Sequence, residues 1–212
     1  MNSRASGCRQ AGRSAAALAW LTTLLCGCSS TKSPDYACQA FVRAVGEGDP
    51  VGVFELLTQP TRWALFTVQK NHARMWTLVE TYYPPKERRL AQSRLYAAAA
   101  EDGRDLFARL YEERYAAQLA ARLGSGPLRT APGPTADVVL CGRQAQSGAP
   151  FRLARDAAGH FGLSELQGEW EQAQLRATHD LATVEKNAEI YRNAGRPTAS
   201  APASTNPATA AP

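Results

Sequence analysis

The sequence predicts an α+β fold in which helices come first, a small antiparallel sheet follows, and one long helix closes the chain. Three observations carry this reading. Over residues 34–123 large apolar side chains recur at spacings of three and four; over 124–163 they fall in short runs between Gly and Pro breakers; over 169–194 the helical spacing returns. Strands grouped after helices, rather than alternating with them, argue for segregated layers and against a doubly wound parallel sheet.

Ser33-Pro34-Asp35 announces the first helix with a hydroxyl for the N-cap, a proline suited to the first helical position and a carboxylate that complements the helix dipole. Tyr36, Cys38, Phe41, Val42 and Val45 form its apolar stripe, and Gly46-Glu47-Gly48 stops it. Asp49-Pro50 repeats the start signal for a short second helix with Val53, Phe54, Leu56 and Leu57, expected to end at Gln59-Pro60. A third helix is expected from Thr61, carrying Trp63, Leu65, Phe66, Met75, Trp76, Val79 and Tyr82 up to Pro84-Pro85. Residues 86–101 read as a fourth helix, broken at Asp102-Gly103. Residues 104–123 read as a fifth, with Leu106, Phe107, Leu110, Tyr111, Tyr115 and Leu119 on one face.

Breakers over 124–135 flank a short strand at Leu128-Arg129-Thr130. Residues 137–141 contain three consecutive large aliphatics, Val138-Val139-Leu140, and read as a buried strand. Phe151-Arg152-Leu153-Ala154-Arg155 alternates apolar and polar, and His160-Phe161-Gly162-Leu163 follows a hairpin-like connector at 156–159. The last helix, over residues 169–194, places Trp170, Ala173, Ala177, Leu181, Val184, Ala188 and Tyr191 on one stripe. This is about two clean heptads, short of the three or four that a coiled coil needs. The expectation is a helix packed on its own domain, with a partner-binding or dimerising face as the alternative. Residues 197–212 hold only Pro, Ala, Ser, Thr and Asn, too little apolar surface to offset the entropy of ordering.

The first residues follow another logic. Arg4, Arg9 and Arg13 precede an apolar segment at 15–25, and no acidic residue occurs before Cys28. The segment fits the ~7–15 residues of a signal-peptide apolar region and falls short of the ~20 that a spanning helix needs. It ends in Leu25-Cys26-Gly27-Cys28, which resembles the lipobox of bacterial lipoproteins. The resemblance implies transfer of a diacylglyceryl group to the Cys28 sulfur, cleavage after Gly27 and acylation of the new amino terminus. The expected organisation is a signal peptide at 1–27, a lipidated tether at 28–32, one α+β domain at 33–195 and a disordered tail at 196–212. The protein is then expected in the cell envelope, held to a membrane by its lipid. Ser29 implies the periplasmic side of the outer membrane if the cell is Gram-negative.

Loss of residues 1–27 removes three of the 24 Lys+Arg and none of the 19 Asp+Glu, leaving a net charge of about +2. No block of like charge appears, so nucleic acid is not an expected partner. Of five cysteines, Cys8 and Cys26 leave with the signal and Cys28 takes the lipid. Cys38 and Cys141 remain, and in an exported protein an even pair with no third candidate predicts one bridge. Two separate buried thiols are the alternative.

The segment 41–49, Phe-Val-Arg-Ala-Val-Gly-Glu-Gly-Asp, followed by Phe54-Glu55-Leu56-Leu57 and Thr61-Arg62, resembles the opening of nuclear transport factor 2-like proteins. Residues 150–156 and 159–163 are similar to paired strands of that family. The resemblance implies a curved sheet wrapped around helices into a cone with a pocket. An inserted helical stretch at 84–123 and a helix in place of a final strand depart from the family pattern.

Catalytic and metal-binding motifs are sparse. His-Glu-x-x-His, Cys-x-x-Cys, Gly-x-Ser-x-Gly and a phosphate-binding Gly-rich loop are absent from the sequence. The three histidines are scattered: His72 on a Lys/Asn/Arg face, His160 in a turn and His179 on the polar side of the last helix. All three are expected at the surface, and neither a metal nor a cofactor is expected. Trp63, Phe66, Trp76, Tyr82 and Tyr83 are expected as core, or as a pocket lining in which His72, Tyr82 and Asp137 are the acid-base candidates. The leading expectation is a non-enzymatic binding or scaffold lipoprotein that meets an envelope partner through its last helix, by residues such as Gln174 or Glu185. The second expectation is a pocket enzyme or small-molecule carrier of the cone type.

Overall fold

The computed structural model describes residues 30–145 and 148–194, and these fall into two compact units. One is the described chain up to Gln59 with Arg114–Glu165; the other is Pro60–Glu113 with the chain from Leu166 onward. The fold is α+β: several helices, a four-stranded antiparallel sheet in the first unit and a long C-terminal helix in the second.

In the first unit a 3-10 turn at Ser30–Lys32 packs against β4 (Phe161–Leu163) and leads into α1 (Pro34–Glu47). Pro34 holds the first helical position, and Gly48 closes the helix at φ 63°, a left-handed conformation that glycine adopts without a Cβ clash. Ser33 occupies the N-cap position, but its hydroxyl makes no capping bond. Asp49 does cap α2 (Pro50–Glu55): its Oδ1 accepts from Val51 N at 3.1 Å and Gly52 N at 3.0 Å. Past α6 (Ala116–Leu123), the strands β1 (Ser125–Pro132), β2 (Val138–Ala145), β3 (Phe151–Arg155) and β4 pair in sequence order, all antiparallel.

Cys141 pairs with Phe151 and Leu153 with Leu163 across the sheet, and all four side chains are buried. Phe41 of α1 meets Phe151 edge to face, with ring centroids 4.9 Å apart. Val138, Val139 and Leu140 are only half-buried. The expected buried strand is therefore corrected: full burial in β2 falls on Cys141 and Gly142, next to the aliphatic run and not within it. The outer edge of β4 is closed by the chain after α2. Leu163 N donates to Leu56 O at 2.6 Å, and Thr58 N donates to Leu163 O at 3.1 Å. A Cβ on Gly162 would lie 3.0 Å from the Thr58 backbone, so glycine permits that approach.

The second unit is helical. Its core gathers Met75, Val79 and Tyr83 with Leu95 and Ala188, and Leu181, Val184 and Tyr191 pack against them. The helix α3 (Gln59–Tyr82) begins earlier than expected. Pro60 starts this helix rather than ending α2, since the missing N–H of a proline is harmless in a first turn. The helix α7 (Gln167–Ala194) presents the expected stripe inward, with Trp170, Ala177 and Ala188 fully buried.

Two expected helices are corrected. The fourth, α4 (Pro85–Gln92), stops nine residues short of 101. Residues 93–102 form turns instead, with i→i+3 bonds such as Leu95 N to Gln92 O at 3.0 Å and Ala98 N to Leu95 O at 3.0 Å. Turns leave backbone groups of this segment free to bond α3, which a regular helix would have used internally. The fifth begins as α5 (Gly103–Leu110), capped by Asp102, and passes through a π turn at Tyr111–Tyr115 into α6.

Candidate functional site

The feature of the second unit that departs furthest from expectation is His72. Its helix position suggested a solvated face, yet the residue is 6% exposed. The correction has a long-range cause: the turns at 93–102 fold back over that part of α3. Leu95, Ala97 and Ala100 are buried, and Gln69 Nε2 donates to Ala100 O at 2.7 Å. Ala97 N donates to His72 Nδ1 at 3.4 Å, and the Tyr96 ring stands edge-on to the imidazole at 5.0 Å. An Nδ1 that accepts must be unprotonated, so the hydrogen-bond pattern assigns the Nε2–H tautomer. Burial holds the imidazole below its usual value of 6.5, and the Asp180 carboxylate of α7 pulls weakly the other way. This is a neutral clasp that ties a turn segment to a helix.

The other pocket candidates do not join it. Trp76 is 42% exposed and Trp63 is 62% exposed, so neither is core. Both lie off the apolar stripe formed by Ala64, Leu65, Val68, Met75 and Val79. Tyr82 is half-buried, ten residues from His72 and so about 15 Å along the helix axis. It lies under the Arg192 guanidinium, 4.7 Å from its ring centroid. Tyr83 is core, edge-on to Tyr191 at 4.9 Å. Tyr191 donates to the Glu87 carboxylate, and that bond raises its phenol above the usual range. Asp137 belongs to the first unit, exposed in the β1–β2 turn, where its carbonyl accepts from Arg155 N at 2.7 Å. His160 ends the β3–β4 turn, its N–H donating to Asp156 Oδ1 at 2.8 Å, and His179 is exposed on α7.

Cys38 and Cys141 are joined, with Cα atoms 5.6 Å apart and a sequence separation of 103. The bond fastens the buried side of α1 to the second strand. Cys28, the expected lipid acceptor, lies outside the described residues.

No family model, curated protein or solved structure matches this chain.

A second fastening in the first unit was missed from sequence. Arg122, at the end of α6, donates Nε to Ala149 O at 2.7 Å and Nη2 to Pro150 O at 2.9 Å. Its Nη2 also reaches Glu165 Oε1 at 3.2 Å, and its guanidinium lies 4.2 Å from the Phe151 ring centroid. Glu165 Oε1 accepts from Arg152 N at 2.9 Å as well. One planar fork thus ties a helix end, the start of β3 and the segment after β4. Its partners are 27 to 43 residues away, and no local sequence signal points to them. Among the described residues no group of three or more His, Cys, Asp or Glu is placed to hold a metal, and no helix is long and apolar enough to cross a membrane.

Proposed function

We propose that the chain is a bacterial envelope lipoprotein, anchored through Cys28, whose folded part serves as a binding or scaffold module. The observation that carries this reading is Leu25-Cys26-Gly27-Cys28 at the end of a basic, then apolar, leader. The joined Cys38 and Cys141 support it, because such bonds persist in oxidising compartments. So does His72, whose Nδ1 is occupied by a backbone N–H, an arrangement suited to structure more than to acid-base chemistry. For an envelope partner, α7 offers Leu175 and Ile190, 71% and 54% exposed and outside its packed stripe. Glu185 is engaged by Arg74, so Gln174 is the better site for a crosslinker.

Metabolic labelling with palmitate tests the anchor: wild type should carry label and fractionate with membranes, and Cys28→Ala should lose both. Label retained on Cys28→Ala would sink the assignment. A photocrosslinker at Gln174 or Leu175 should give discrete adducts in intact cells, and a featureless smear would remove the scaffold reading.

A further inference from the structure

We infer that Lys32, Tyr36 and Arg43, an exposed row leading into and along α1, dock onto the anionic headgroup layer of the membrane that holds the Cys28 lipid. The inference rests on the anchoring proposed above, and chain reach decides the occupant. The chain is folded from Ser30 onward, its 3-10 turn packed against α1 and β4. Only Ser29 then separates the folded unit from the lipidated residue. Two residue steps span at most ~7 Å, about the depth of one headgroup layer. The surface beside Ser30 is therefore confined to the interface, and its side chains decide whether it binds there.

Those side chains suit a headgroup layer. Lys32 and Arg43 are exposed, and Tyr36 is 44% exposed. Tyr36, expected on the apolar stripe, lies off it: it is seven residues from Arg43 and shares with it the side of α1 opposite the buried Cys38, Phe41, Val42 and Val45. No side-chain hydrogen bond or ion pair among the described residues engages Lys32, Tyr36 or Arg43. Tyrosine favours the membrane–water interface, and lysine and arginine are drawn to anionic lipid. Two exposed carboxylates flank the row: Asp35, whose Thr130 hydroxyl partner brings no positive charge, and Glu47, four residues beyond Arg43 and about 16 Å along the axis from Tyr36. The docking therefore depends on Tyr36 and on Lys32, the cation nearest the lipid, more than on net charge.

The test uses the lipidated mature protein in vesicles of phosphatidylethanolamine and phosphatidylglycerol. A thiol introduced by Gln39→Cys, between Tyr36 and Arg43, takes an environment-sensitive dye; the lipid occupies the Cys28 sulfur and the disulfide occupies Cys38 and Cys141. Ala158→Cys, in the exposed β3–β4 turn, is the reference site. The dye at 39 should be quenched by headgroup-labelled lipid and shielded from aqueous iodide, relative to the dye at 158. Lys32→Gln and Arg43→Gln should each lower the docked-to-free ratio roughly fivefold, and vesicles without phosphatidylglycerol should lower it at least as much. Protein that floats with the vesicles while the dye at 39 is as open to iodide as the dye at 158 overturns docking and leaves the anchor standing. Protein that fails to float removes anchor and docking together.

Discussion

The sheet-bearing unit closes with a covalent bond and a guanidinium fork, whereas the helical unit closes with apolar packing and a neutral imidazole. In the first, Cys38–Cys141 spans the layers and Arg122 gathers three segments. In the second, Met75, Val79, Tyr83 and Ala188 pack without any covalent link among the described residues, and His72 holds the turns at 93–102. The contrast teaches that one unit should answer to redox conditions and the other to pH.

Removing the disulfide should have the largest effect. Cys38→Ala with Cys141→Ala should cost about 4–5 kcal/mol by the chain-entropy account of a loop this long, measured by urea unfolding. Hydrogen exchange should place the loss in α1 and β2 while α3 keeps its protection. Equal loss in both units would break the comparison. Met75→Ala is its counterpart: emptying a buried site in the helical core should cost about 2–5 kcal/mol, with the loss of protection now in α3 and α7.

Arg122→Met keeps the apolar stem but removes the fork, leaving two carbonyls and Glu165 with fewer partners. A loss of about 1–3 kcal/mol is expected, read as a lower thermal midpoint. Full retention of stability would show that the guanidinium contributes nothing.

His72 should give the helical unit its pH response. Its folded value lies below 6.5, so between that value and 6.5 the unfolded chain binds more protons. Stability should therefore fall as pH drops through this window, by at most about 1.4 kcal/mol per pH unit, and level off below it. Unfolding midpoints across that range should show the slope, and His72→Gln should flatten it. A slope unchanged in His72→Gln would assign it to other groups.

The smallest effect concerns Trp170, which is 1% exposed and whose Nε1–H has no hydrogen-bond partner among the described residues. Trp170→Phe loses packing but also removes a buried unsatisfied donor, a cost of about 1–3 kcal/mol in itself. The net change should sit near zero, whereas Trp170→Ala should cost about 3–5 kcal/mol. A Trp170→Phe loss as large as that of alanine would point to an acceptor for the indole.

Legibility followed the range of the interactions. The starts of α1 and α2, the β3–β4 hairpin and the inward stripe of α7 were readable, because caps, turns and periodicity act within a few residues. The disulfide was readable because the proposed loss of residues 1–27 and lipidation of Cys28 would leave only one pair. The burial of His72 was not, since residues 93–102 cover it from 25 positions away. Nor was the exposure of Trp63 and Trp76, because bulk and aromaticity do not say which side of a helix finds a partner. For the candidate site, the sequence supplied His72 as a residue but assigned it the wrong surroundings.

By itself the sequence determined the α+β class and the grouping of strands between helices, and it supplied the basic, then apolar, N-terminal segment on which the proposed anchor rests. Tertiary structure decided that the chain closes as two units, that a turn segment rather than a helix covers His72, and that Arg122 gathers three distant segments. The physical reason is that caps and spacings are fixed by neighbours along the chain. Burial and hydrogen-bond partners across tens of residues depend on which surfaces the fold brings together.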